Sequence, residues 1–420
     1  MKIFADLHLH SKYSRACSKD ISLENLEKFA KLKGLNLLGT GDFQHPLWFK
    51  EIKLQLKEAN DGVFHFKDGN IFFLLQTEVQ NFYEEGGKVR KVHNLILAPN
   101  FDVVEQIKEY LGKKGDLKYD GRPILNKLTC SEMTESLMEI SKDIMIIPAH
   151  AWTSWFDVFG SKSGFDSLEE CFKDQAKNIH AIETGLSSDP SMNWRISALD
   201  RISLVSFSDA HSYWPHRLGR ECCVFDLKEL NYKNLIDAIK SKDKSKFLFT
   251  MEFFPEEGKY HWDGHRKCNV YLEPKEAIKH NNICSVCGKQ LTIGVLHRVE
   301  ELADREEGFV PKNAIPFKNL VPLSELLASI FNTEPFSKKV WEEHSKLINR
   351  FGNEFNVLLD AHYNDLKLIS GEIVADVIVK NREGKLRFQP GYDGVYGKLI
   401  LDDKQKIGSR NPQKRIDSFT

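Results

Sequence analysis

Along residues 1–250, short apolar runs alternate with stretches whose apolar residues recur every three or four positions, the pattern of strands joined by crossover helices. Strand candidates occupy residues 2–8, 35–42, 70–79, 91–98, 143–150, 179–185 and 203–209. After the first of them Ser22 offers a helix N-cap, Leu23, Leu26, Phe29 and Ala30 form one apolar face, and Gly34 closes the helix. Only the polar, glycine-bearing residues 80–90 separate the third run from the fourth, too short a connection for a crossover helix, so a hairpin is expected and the fourth strand runs antiparallel. The pattern predicts an α/β fold: a distorted (β/α)7 barrel, mostly parallel.

Beyond residue 250 the texture changes. Residues 251–318 are rich in aromatics and charges and carry a small cysteine block. Residues 319–401 read as a helical module with a returning segment: Leu323, Leu326, Leu327 and Ile330 make one face, and Val340, Trp341, His344, Leu347, Ile348 and Phe351 another. Residues 402–420 are polar and basic without periodicity, the mark of a flexible tail. The expected order is therefore barrel (1–250), small zinc-ribbon-like module (251–318), helical module (319–401) and tail (402–420).

Composition narrows the class without choosing the chemistry. With 41% hydrophobic and 28% charged residues over 420 positions, the chain reads as a globular protein with no run of about 20 apolar residues. An acid at position 6 interrupts any apolar leader, so an intracellular location is expected. The eight cysteines are then thiols or metal ligands before they are disulfides. A net charge of -1 argues against a uniformly basic nucleic-acid coat, although acidic ligands can mask a local basic groove.

The chemistry sits at strand ends. His8 and His10 stand two residues apart at the end of the first strand, where period-two alternation points both imidazoles to one side. Asp209 and His211 repeat that spacing at the end of the last, and the two pairs are expected to face each other across the barrel mouth. Asp42, Glu78 and His150 end further strands, and His93 begins the antiparallel one at the same rim. A single histidine or acid there is usually a satisfied polar group. Eight together form a costly concentration of buried polarity unless cations compensate it. Mixed imidazole and carboxylate donors suit zinc, manganese or iron, and two or three such ions serve phosphoester hydrolysis. Glu183 lies on the same rim as a ligand, a base or an acceptor behind a ligand.

These motifs, from Asp6 to Ser11, Thr40 to Asp42, Glu78, His93, His150 and Ser208 to His211, resemble those of the PHP (polymerase and histidinol phosphatase) superfamily. The resemblance implies a PHP-type barrel with His8, His10, Glu78, His150 and Asp209 as catalytic residues. It implies two or three divalent ions (zinc, manganese or magnesium): one on His8, His10, Glu78 and Asp209, a second on Glu78, His93 and His150, and a third on His211 and Asp42. The chain departs from the superfamily at Gly41-Asp42, where Asp-His is common, and at Arg15, Ala16 and Cys17, where a further histidine is common; both departures bear on the third ion.

In the second module, His265-x2-Cys268 and Cys284-x2-Cys287-Gly288-Lys289 have the pair spacing of a structural zinc site, with His261 and His280 as alternatives to His265. With the segments 291–305 and 391–397, the whole chain resembles the endonuclease Q family of archaeal and bacterial DNA-repair enzymes. That implies a cytoplasmic, nucleoid-associated enzyme whose partner is DNA containing deaminated bases (uracil, hypoxanthine, xanthine) or abasic sites, cut on the 5′ side of the lesion to leave a 3′-hydroxyl and a 5′-phosphate. Base extrusion calls for aromatic walls: Trp152, Trp155 and Phe156 follow one ligand, and Tyr213 and Trp214 another, where they either meet the base or pack loops. Arg195, Arg217 and Arg220 are candidates for phosphate contacts. Gln413, Ile416 and Phe419 resemble a sliding-clamp-interacting box, though a chance polar tail reads the same way. The competing readings are a PHP-type 3′-5′ exonuclease, a small-molecule phosphoesterase, and a non-catalytic DNA- or clamp-binding scaffold.

Overall fold

The computed structural model describes residues 1–402 and Gln405, so Gln413, Ile416 and Phe419 lie outside the described residues. The chain divides into two compact units, one of Met1–Leu320 with Phe388–Lys398, the other of Val321–Arg387 with a segment from Leu399.

The first unit is built on strands β1 (Lys2–Asp6), β2 (Leu37–Gly39), β3 (Leu56–Asn60), β4 (Val63–Phe66), β5 (Phe72–Glu85), β6 (Lys88–Ala98), β7 (Ile124–Asn126), β8 (Met145–Pro148), β9 (Ala181–Glu183), β10 (Ser203–Val205), β11 (Cys222–Asp226) and β12 (Phe247–Glu252). β1, β2 and β5 pair in parallel, β6 pairs antiparallel with both β5 and β8, and β9 pairs in parallel with β10. Backbone hydrogen bonds at the strand ends complete a ring. Ala151 N donates to Glu183 O (2.9 Å), joining β8 to β9, while His10 N donates to Ala210 O (3.1 Å) and Ala210 N to His8 O (3.3 Å), joining the segments after β10 and β1. Inside lie Ala5, Leu7, Leu37, Leu74, Leu95, Leu97, Ile147, Val205 and Phe207, almost wholly buried. Their removal from water drives closure of the ring.

The expected hairpin is present but its strands are longer. Glu85 pairs with Lys88 across Gly86-Gly87, both at positive φ as a two-residue turn requires. Residues 80–90 are therefore mostly strand.

Three departures from the expected pattern have physical causes. The last barrel strand stops at Val205 rather than at Asp209, because Ser208 leaves the ladder to donate its N–H (3.0 Å) and its hydroxyl (2.5 Å) to buried Asp6. β11 and β12, both absent from the expected set, continue the sheet beyond β1 in antiparallel pairing. The β3–β4 hairpin was hidden by exposed Lys57, Glu58 and Ala59, which gave it no alternating face.

In the second unit the helices Leu323–Phe331, Lys338–Phe351, Tyr363–Ser370 and Glu372–Arg382 bury Leu326, Leu327, Ile330, Val340, Leu347, Val374, Val377 and Ile378. Glu354 is the polar keystone. It accepts from Leu323 N at the start of the first helix (3.0 Å) and from His344 Nε2 (3.3 Å). No helix among the described residues is long and apolar enough to cross a membrane.

Asp6 accepts from Ser208 twice and from Gly219 N (2.8 Å), so it joins β1 to the segment that carries Asp209, and burial pushes its carboxyl up to about 6. Asp6→Ala leaves these donors unpaired in the core and is expected to cost about 3 kcal/mol, read as a lowered urea midpoint.

Candidate metal centre

The strand ends deliver the expected ligands to one place. His8 and His10 flank Leu9, which bridges Ala210, and both rings point their Nε2 toward Glu78 and Asp209. Glu78 projects from β5 and His93 from β6, with Gln80 paired to His93 in register. Asp42, His150 and Asp209 follow β2, β8 and β10 at φ of 40°, 29° and 48°, in left-handed backbone that non-glycine residues rarely take. Strain of about 1–3 kcal/mol per residue is thus concentrated where side chains must leave their strands.

One atom each from His8, His10, Glu78 and Asp209 lie within 4.8 Å of one another, and so do one each from Glu78, His93 and His150. Glu78 serves both groups. Its Oε2 is 3.2 Å from His10 Nε2 and 3.7 Å from His8 Nε2, while its Oε1 is 2.9 Å from His93 Nδ1 and 3.2 Å from His150 Nε2. Asp209 Oδ1 completes the first group, 3.0 Å from His10 Nε2 and 3.6 Å from His8 Nε2.

Whether these donors fit cations is decided by what else they bond. His8 Nε2, His10 Nε2, Glu78 Oε2 and Asp209 Oδ1 are all buried and none makes a hydrogen bond among the described residues. The opposite nitrogen of each imidazole is taken: His8 Nδ1 by Glu183 (3.0 and 3.1 Å), His10 Nδ1 by Asp42 (2.9 Å), and His150 Nδ1 by Asp157 (2.8 Å). A carboxylate behind each histidine fixes its tautomer and aims the free nitrogen inward, the arrangement of metal-ligating histidines. The donors fit divalent cations, with Glu78 common to both groups. Burial lowers the His8 imidazole, but Glu183 and Asp209 outweigh it and hold the ring up at about 10. Burial takes His93 the other way, to about 4, aided by Arg122.

The structure leaves several expected residues outside both donor groups. Asp42 stands behind His10, its second oxygen accepting Ser11 N (2.6 Å), so both oxygens are engaged. Gly121 must lack a side chain here, since a Cβ would lie 2.2 Å from Asp42 Oδ2. Glu183 is an acceptor shared by His8 and by His150 N (2.8 Å). His211 lies beside His10, ring centroids 4.6 Å apart, with Nδ1 on Asp209 O. The turn at Asp209 breaks the alternation that had put both side chains together. Among the described residues no third group of ligands gathers around His211 and Asp42. The two motifs also lie side by side, joined by the Leu9–Ala210 bridge, instead of facing each other across the mouth.

A cavity of about 570 Å³ opens on this centre. His93, His150, Asp209 and His211 line it with Arg122, Trp155, Phe156, Arg217 and Arg220. Trp155 and Phe156 are 46% and 40% exposed, and Phe156 stacks on His93. Trp152 is not on this wall. It is 1% exposed, donates Nε1 to Asn193 and packs on Phe159, because the turn after His150 folds it back into the core. Tyr213 packs at a tilt and Trp214 edge-on against Phe29, on the helix Leu23–Lys33. Arg195 is also internal, 8% exposed and forked onto Glu300 (2.7 and 3.0 Å), leaving no guanidinium for phosphate. Arg217 is exposed, whereas Arg220 lies over Phe253 and 3.5 Å from Glu257.

Sequence reading missed Arg122, whose Nη1 is 3.6 Å from Glu78 Oε2, and Asp157. Arg122 follows Asp120-Gly121 in a loop with no periodic signal. Asp157 lay in view, seven residues after His150, without a pattern to mark it.

In the second cluster the donor atoms of His265, Cys268, Cys284 and Cys287 lie within 4.8 Å of one another, with Cys287 Sγ 3.4 Å from His265 Nδ1. Burial raises the Cys284 thiol, but the N–H groups of Cys287 and Val286 pull it down to about 6, the thiolate a metal needs. His280 is turned to Glu276 and His261 lines the cavity, so neither joins.

Atomic absorption on purified protein is expected to find His8→Ala and Asp209→Ala depleted of active-site metal. Asp42→Asn should retain its metal with affinity weakened about 10–100-fold, as an orienting partner and not a ligand. Cys284→Ser should lose one zinc per chain and lower the melting temperature while leaving the other metals bound.

Residues 322–385 match the MJ0043 C-terminal domain family. An uncharacterised protein of Methanocaldococcus jannaschii, MJ0043, is 35% identical over 64% of this chain, which spans only 34% of that protein's length. YqxK of Bacillus subtilis, also uncharacterised, is 29% identical over 95% of this chain and 99% of its own. Among solved structures, the lesion-specific endonuclease PfuEndoQ of Pyrococcus furiosus superposes with a TM-score of 0.86 at 34% identity, covering 96% of both chains. An endonuclease Q bound to a 27-mer duplex with an abasic lesion at its active site gives 0.85 at 34%, covering 96% of this chain and 98% of that one. With one fold and a third of its residues shared along almost the whole length of both chains, the protein belongs to the endonuclease Q family.

Proposed function

We propose that the protein is a DNA-repair endonuclease that hydrolyses the phosphodiester on the 5′ side of a deaminated base or an abasic site, leaving a 3′-hydroxyl and a 5′-phosphate. The observation that carries this reading is the shared cavity: metal-type ligands and exposed aromatic and basic side chains line one wall-to-wall space of about 570 Å³, within the ~300–1,000 Å³ range of ligand sites. Membership of the endonuclease Q family supports it. In this reading the ring of strands is a PHP-type barrel, and the His265–Cys287 cluster holds a structural zinc.

Two ions on His8, His10, Glu78 and Asp209 and on Glu78, His93 and His150 would supply Lewis acidity to the phosphate and lower the pKa of water. The remaining work belongs to the chain. Glu183, Asp42 and Asp157 keep three imidazoles in the tautomer that presents a lone pair inward. Arg122, beside Glu78 and facing the cavity, stabilises negative charge on a phosphate placed there. Trp155 and Phe156 offer a stacking wall to an extruded nucleotide or a neighbouring base. Arg217 is placed for a flanking phosphate, since it is exposed, lines the cavity and has no acid partner among the described residues.

Labelled duplexes with uracil, hypoxanthine, an abasic site or no lesion, incubated with metal-loaded protein, test the proposal. A single nick 5′ to the lesion is expected, lost in His8→Ala. Progressive shortening would make it an exonuclease, turnover of a phosphate monoester a phosphatase, and binding without cleavage a scaffold. Arg217→Ala is expected to weaken duplex binding uniformly and reduce the slope of log affinity against log salt by about one, measured by fluorescence anisotropy.

A further inference from the structure

Two buried carboxylates beside the cavity take no part in either metal cluster. Glu221 and Glu252 have no solvent exposure. In the antiparallel pair β11–β12 Cys222 stands opposite Met251, and the register continued by one position puts Glu221 opposite Glu252. Side chains so placed share a face, with Cβ atoms about 5 Å apart. Their hydrogen-bond partners are neutral. Glu221 accepts from Leu186 N (3.1 and 3.2 Å) and Phe253 N (3.0 Å), and Glu252 accepts from the hydroxyls of Thr184 (2.7 Å) and Thr250. Two further acids face the pair: Glu183, which is spent on His8 and His150 N, and Asp189, which caps a helical turn at Met192 N. Burial holds the adjoining Cys222 and Cys223 thiols neutral, and the Arg220 guanidinium is turned onto Phe253 and toward Glu257. Two like charges cannot both persist at this separation in a dry core, so the pair keeps a proton.

What Glu221 holds is the cavity wall. Leu186 and Phe253 line the same space as His150, Asp209 and His211, and so does Arg220, the residue before Glu221. Leu186 sits at φ 53°, left-handed backbone that a leucine rarely takes and that its hydrogen bond to Glu221 helps to hold. We infer that Glu221 and Glu252 are a positioning pair sharing one proton: with it Glu221 clamps Leu186 and Phe253 into the cavity wall, and without it, at alkaline pH, the clamp opens. The proton passes to solvent, and the two carboxylates left face to face are relieved when one swings away from the other. Burial pushes Glu252 up to about 7 and, with Glu252 beside it, takes Glu221 well above the usual carboxylate range. Both folded values exceed the ordinary 4.5, so the stabilisation is complete below that pH and is lost as pH rises through them. Above pH 7 the Glu221 proton is the one left to lose.

Hydrogen exchange of the metal-loaded protein tests this, read by mass spectrometry on peptides spanning residues 184–188 and 251–255 between about pH 7 and 9. Each rate is referred to the intrinsic rate at that pH. Protection of both segments in the wild type is expected to fall about tenfold per pH unit, the linkage of one proton kept only while the clamp is closed. Glu221→Gln still offers an oxygen to both N–H groups and cannot ionise, so its protection is expected to stay constant across the range. A clamp with a merely structural role would weaken equally at every pH. Parallel profiles for wild type and Glu221→Gln, or a flat wild-type profile, overturn the inference. If that variant does not fold, Glu252→Gln, which removes the other charge, is read by the same slope. No substrate enters the measurement, so either outcome leaves the endonuclease reading as it stands.

Discussion

The burial of Glu78 is the constraint around which the first unit is organised. A carboxylate with no solvent exposure is costly unless positive charge surrounds it. Here its surroundings are Arg122 and the imidazoles of His10, His93 and His150, which hold it well below the usual carboxylate range despite burial. Its two oxygens face different partners, and that split defines two ligand groups instead of one. Because β5 carries it in the middle of a 14-residue strand, opposite Leu95 of β6, its position is set by a backbone ladder and not by a loop.

From this carboxylate the remaining architecture follows outward in layers. His8, His10 and His150 each spend one nitrogen on an acid behind them, whereas His93 meets the amide oxygen of Gln80, and those acids are themselves anchored: Asp42 by Ser11 N, Asp157 by Thr153 N, Glu183 by His150 N. A network satisfied on its outer side and unsatisfied on its inner side points to a guest that is positively charged. The left-handed backbone at Asp42, His150 and Asp209 serves the same end, and Gly41, at φ 68° with Leu9 O 3.0 Å from where its Cβ would be, lets β2 turn closely beneath the His8–His10 segment. Local strain persists there because the surrounding core over-determines it.

The cysteine cluster solves a different problem by related means. Its apolar core is only Ala277, Cys284 and Leu291, with Val270 and Leu272 partly buried against them, too little to order a segment of this length. Its four donor atoms lie within 4.8 Å of one another, and a metal held there would supply the missing constraint.

Some features of this protein are local enough to be legible in sequence alone. The strand ends bearing His8, His10, Glu78, His93, His150 and Asp209 are marked by short-range alternation and hydrophobic runs, and residue type announces the donors. The paired spacing of Cys284 and Cys287 is likewise written in four positions. The helical faces of residues 323–351 emerge for the same reason, since period 3.6 is a local property. What only the tertiary structure decides is which of several similar side chains points inward. Asp42 and Asp209 both end strands, but Ser11 N captures one behind His10 while the turn at φ 48° swings the other toward the inward nitrogens of His8 and His10. Trp152 and Trp155 are three residues apart, yet a buried hydrogen bond to Asn193 takes the first into the core and leaves the second on the wall. Arg195 is neutralised by Glu300, 105 positions away, and Glu78 draws its guanidinium from Arg122 on a loop without pattern. Charge pairing and burial act across space without regard to sequence separation, so they assign roles that no spacing along the chain encodes.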